Sequence, residues 1–62
     1  MEIDAGNAMA FEILEENFKW ASHYARCAVE AAERQSFLGV DLNLEEMRRV
    51  LKEAMATRRL IV

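Results

Sequence analysis

Residues 11–38, FEILEENFKWASHYARCAVEAAERQSFL, decide the fold. The run spans about four heptads without glycine or proline, and its apolar residues recur at threes and fours, so it predicts one long helix. Phe11, Leu14, Phe18, Ala21, Ala25, Ala28 and Ala32 form a first stripe, the a/d seam of a helix packed lengthwise on another. Ile13, Trp20, Tyr24, Cys27, Ala31 and Leu38 form a second, roughly 100° around the same helix. A helix apolar on two sides requires two sets of partners, and 62 residues are too few to supply both.

Downstream, Gly39 is the natural stop, because glycine readily takes the left-handed conformation that closes a helix. Val40, Asp41 and Leu42 make the turn. Asn43 caps the next helix, Glu46 completes a variant capping box, and Leu42 and Met47 are placed as a hydrophobic staple. The second helix runs from Leu44 to about Arg58, with Leu44, Met47, Val50, Leu51, Ala54 and Met55 on its apolar face. Upstream, Met1 to Gly6 reads as a lead-in, with Asn7 preferred over Asp4 as the first N-cap. Glu15–Lys19 and Glu30–Arg34 are spaced for supporting ion pairs. The expected fold is therefore all-α. It is a single-domain helical hairpin over residues 1–62, with a long helix at about 7–38, a turn at Gly39 and a short antiparallel helix at about 44–58.

A length mismatch follows. At 1.5 Å per residue the first helix is roughly 45 Å long and the second roughly 22 Å, so the second reaches only the C-terminal half of the first. There Ala21, Ala25, Ala28 and Ala32 are expected to seat Met47, Leu51 and Met55. Met9, Phe11, Ile13, Leu14, Phe18 and Trp20 would be left uncovered, with Tyr24 beside them. Burying six such side chains is worth about 10 kcal/mol, more than a hairpin of this size can forgo. The expected solution is a homodimeric helical bundle, a groove on a larger protein, or both.

Composition points the same way. A chain this small is near the lower limit for folding alone without disulfides, metal or oligomerisation. One cysteine excludes an intrachain disulfide, and a single histidine beside it excludes the usual zinc clusters. No apolar run approaches a membrane span and no signal-peptide pattern opens the chain, so a cytoplasmic location is expected. The net charge of −3 is uneven. Residues 1–33 carry seven acids against two bases, giving −5, and residues 34–62 carry four acids against six bases, giving +2.

No residue set spells an enzyme, a metal site or a cofactor site. Glu16, His23 and Glu30 are a heptad apart, too far along the axis to hold one ion. Cys27 reads as a small buried hydrophobe, and a Cys27–His23 nucleophile pair is weak because the two point from different faces. Arg48, Arg49, Lys52, Arg58 and Arg59 invite a nucleic-acid reading, but Asp41, Glu45 and Glu46 at the leading end of that helix would repel phosphates.

The leading expectation is a non-enzymatic interaction module that binds and modulates a larger protein, as an inhibitor, anti-activator or antirepressor. Phe11, Leu14, Phe18 and Trp20 would anchor it, and Glu12, Glu15, Glu16 and Glu30 would steer it to a basic surface. A dimeric nucleic-acid-binding regulator and a structural subunit of a larger assembly are the alternatives. The architecture resembles that of small helical-hairpin regulators such as phage or bacterial anti-activators and antirepressors.

Overall fold

The computed structural model describes residues 5–62. Two helices, α1 (Ala5–Glu33) and α2 (Phe37–Arg59), pack antiparallel against each other, and no strand occurs among the described residues. The hairpin is a rod of 48 × 16 × 11 Å.

The turn lies earlier than Gly39. Gln35 takes the left-handed conformation, with φ of 55°. The Ser36 N–H donates to the Ala31 carbonyl (2.9 Å) and the Gln35 N–H to the Ala32 carbonyl (3.0 Å), the paired bonds of a Schellman motif. Ser36 then caps α2, its hydroxyl accepting from the Gly39 N–H at 3.1 Å. One residue thus closes the first helix and opens the second, so the helical run expected to reach Leu38 stops at Glu33. Phe37 and Leu38 belong to α2.

Gly39 is consequently a helical residue, and no glycine has positive φ among the described residues. Its task is close approach. A Cβ built on Gly39 would stand 2.8 Å from the Ala31 Cβ, well inside van der Waals contact, and Ala31 is only 1% exposed. Asn43, expected as a cap, lies inside α2 and donates its side-chain N–H to the Gly39 carbonyl at 2.8 Å. With Ser36 capping seven residues earlier, nothing breaks the helix at Asn43. Leu42, the expected staple residue, is exposed, and Glu46 pairs with Arg49 instead of a capped N–H.

The length mismatch also disappears. α2 has 23 residues against 29 in α1 and returns along most of it. Asn7 lies inside α1, so it is not the N-cap. Its side chain instead meets the far end of the chain, accepting from the Val62 N–H and donating to the Val62 carbonyl, both at 3.4 Å. Asp4, the alternative cap, lies outside the described residues.

The seam between the helices runs through Ala10, Leu14, Asn17, Ala21, Tyr24, Ala28 and Ala31 on α1. On α2 it runs through Ser36, Val40, Asn43, Met47, Val50, Ala54 and Thr57. Both series step by threes and fours, as a two-helix seam requires. Only Ala10, Leu14, Ala31, Val50 and Ala54 are buried among the described residues, so alanines make up most of a core in which Leu14 is the one large side chain. The seam is not wholly satisfied: the Asn17 side-chain nitrogen is buried without a hydrogen-bond partner.

Candidate functional site

In that seam Ala10, Asn17, Tyr24 and Ala31 and, on α2, Ser36, Asn43, Val50 and Thr57 are the d positions. The residue following each d position points sideways from the hairpin, and in an antiparallel pair these rows fall on the same side of both helices. On α1 the row is Phe11, Phe18, Ala25 and Ala32, and on α2 it is Phe37, Leu44, Leu51 and Arg58. All eight are exposed, Phe18 to 54% and Phe37 to 89%. They form a nearly continuous apolar face along the rod. At its open end Phe18, Leu51, Met55 and Arg58 line a groove floored by Leu14 and Ala54.

The first stripe of the sequence is therefore real but divided. Leu14 is buried in the seam, and Ala21, Ala28 and Met47 are half-buried along it. Phe11, Phe18, Ala25, Ala32, Leu51 and Met55 stand on the outer face. Of the residues expected to pack between the helices, Ala25, Ala32, Leu51 and Met55 are thus exposed, because the true seam is rotated by about one position and Ala31, not Ala32, faces α2 beside the turn.

The opposite face has a different chemistry. Trp20 stacks on Tyr24 with ring centroids 5.9 Å apart and an interplanar angle of 28°, and His23 meets both rings edge-on at 5.7 and 5.3 Å. The contacts of Trp20 with His23 and Tyr24 are the three- and four-residue spacings at which side chains on one helix meet. Beside them Arg49 binds Glu46 at 2.8 Å and Glu53 at 3.3 Å. The hydrogen bond from Arg49, reinforced by its charge, holds the Glu46 carboxyl below its ordinary value, with a smaller contribution from the Tyr24 hydroxyl. Arg49 is raised in turn, first by the bond to Glu46. Of the five basic residues considered for phosphate contact, Arg49 is therefore already engaged. The expected Glu15–Lys19 and Glu30–Arg34 pairs are not among the ion pairs of the described residues.

Met9 and Ile13 continue this side toward the open end, both exposed. Cys27 is half-buried, and its Sγ lies 3.8 Å from His23 Nε2. The structure thus brings together two side chains that the sequence placed on different faces. Among the described residues no third side chain hydrogen-bonds the imidazole, as a base-activating arrangement requires. No group of three or more potential metal ligands occurs among the described residues. Glu12, Glu15, Glu16 and Glu30 are all exposed on α1. No helix among the described residues is long and apolar enough to cross a membrane.

No family model, no curated protein and no solved structure matches this chain.

Proposed function

We propose that this protein is a non-enzymatic interaction module that self-associates and binds a larger protein so as to modulate it, as an inhibitor, anti-activator or antirepressor does. The observation carrying this reading is the exposed apolar face, in which Phe11, Phe18, Phe37, Leu44 and Leu51 stand in two neighbouring rows on a hairpin whose own buried apolar core is three alanines, one valine and one leucine among the described residues. Large aligned apolar side chains on a small domain normally serve an interface. Trp20 and Tyr24 on the opposite face supply the aromatic anchors that interfaces favour. The exposed acids of α1 steer the assembly toward a basic partner surface. Two surfaces of different character suit two tasks, self-association and target capture.

The test replaces Phe11 and Phe18 together by glutamine. Sedimentation should show loss of the assembled species, and pull-down from the native cell should lose the target. If assembly and capture both survive unchanged, the reading is wrong.

A further inference from the structure

We infer that the apolar face is occupied by a second copy of this chain running in the opposite direction, giving a four-helix bundle with the two loops at opposite ends. This rests on the self-association proposed above and specifies its geometry.

The area supports a second copy. A compact chain of 7.1 kDa has an accessible surface of about 4,100 Å², whereas this one has 5246 Å². Removing that excess from each of two chains buries about 2,300 Å² in total, in the range of obligate homodimers. A copy of the same chain also brings a matching face, since a twofold interface uses one patch on both partners.

The direction follows from side-chain size. Ala31 stands against Gly39, and Asn7 against Val62. That register places Phe11 level with Arg58, Phe18 with Leu51, Ala25 with Leu44, and Ala32 with Phe37. The α1 row is thus large at the open end and small at the loop end. In an antiparallel dimer Phe18 and Leu51 meet the partner's Ala25 and the partner's Leu44. Phe11 and Arg58 meet the partner's Ala32 and the partner's Phe37. Every layer then combines large with small side chains, as dense packing requires.

A parallel dimer would instead join two Phe18 and two Leu51 in one overfilled layer, and two Ala25 with two Leu44 in an underfilled one. Charge does not reverse the preference. The antiparallel form brings two Arg48 side chains near the axis, and the parallel form puts both Arg58 in one layer. Such long solvated side chains at a rim contribute little, while a mis-sized core layer leaves a clash or a cavity.

The twofold axis of the antiparallel form crosses α1 between Phe18 and Ala25, beside the exposed Ser22. Two thiols introduced at position 22, one on each chain, would lie within the roughly 4–7 Å Cα separation that a disulfide spans. In the parallel form they lie on opposite sides of the bundle. The experiment uses the full chain carrying Cys27→Ser with Ser22→Cys and, separately, Cys27→Ser with Arg48→Cys, under mild oxidation. A third chain carries Cys27→Ser with Arg26→Cys, whose thiol points away from the interface.

The expected result is a covalent dimer, with twice the mass of 7.1 kDa, as the major product for the first two and not for the third. A sedimenting dimer in which neither Ser22→Cys nor Arg48→Cys links overturns the antiparallel arrangement and leaves self-association standing. Equal linking of all three also overturns it. A chain that stays monomeric at every concentration overturns both.

Discussion

Replacing Gly39 by alanine tests whether the two helices are drawn together where Gly39 meets Ala31. In an ordinary helix the change is favourable by about 1 kcal/mol, because alanine loses less backbone freedom. Here the new methyl would lie 2.8 Å from the Ala31 Cβ and 3.1 Å from the Ser36 Oγ. Carbon contacts sit comfortably at about 3.5–4 Å, and both carbons are fixed to backbone, so no rotamer change relieves the clash. Overpacking of this kind costs about 1–3 kcal/mol, and the rigidity of both sides places this case in the upper part of that range. The net expectation is destabilisation by about 1–2 kcal/mol, and each kcal/mol lowers the melting midpoint by roughly 4–8 °C in a domain this small.

The assay is thermal and urea unfolding followed by circular dichroism at one fixed protein concentration, since association would otherwise shift the midpoint. The decisive comparison repeats Gly39→Ala in an Ala31→Gly background, where the methyl finds room. There only the propensity gain remains, so the sign reverses and the coupling between the two sites is about 2–3 kcal/mol. A Gly39→Ala protein as stable as its parent, or an equal effect in both backgrounds, would refute the close-approach argument.

Other substitutions probe the turn, the seam and the ion pairs. Ser36→Ala removes the α2 cap and should cost about 1 kcal/mol in urea unfolding; no loss would mean that Ser36 is not the cap. Gln35→Gly relieves a left-handed non-glycine residue and should stabilise by roughly 0.5–1 kcal/mol, whereas a loss would contradict the Schellman assignment. Asn17→Ala removes a buried donor without an acceptor and should raise stability by about 1 kcal/mol; a drop would show that the amide has a partner. The Glu46 carboxyl is held below its ordinary value of 4.5. Its pairing therefore stabilises the fold above that value and is lost as pH falls through the depressed one. Glu46→Gln should flatten the acid limb of a stability–pH profile below about 4.5, and an unaltered limb would dismiss the pairing.

The helical class and the hairpin were legible in the alternation of threes and fours, but the phase of the seam was not. Phe11 and Phe18 are large and regularly spaced, so they drew the seam onto themselves. The positions that do face α2 include Asn17 and Tyr24, and those facing α1 include Ser36, Asn43 and Thr57, polar side chains that periodicity counts against burial. Gly39 misled for a related reason. A glycine near a helix boundary serves either a left-handed turn or a close contact, and one sequence does not separate them. Ser36, followed three residues later by that small residue, was the available signal for the turn. The outer face was visible only as part of the first stripe, whose Phe half the sequence left for a partner and whose Ala half it gave to α2, whereas the structure divides that stripe between the seam and the outer side of the helix.

The contact between Ala31 and Gly39 also sets the order in which the hairpin comes apart. It closes across the short loop between Glu33 and Phe37, whereas Asn7 and Val62 are separated by 55 residues. Closing a long loop costs more entropy than closing a short one, and each layer formed near the turn shortens the next loop to be closed. The helices therefore zip from the turn and unzip from the free end. Amide protons beside Asn7 and Val62 are expected to exchange with solvent first and those flanking Ala31 last, a gradient of local stability that hydrogen exchange would read directly.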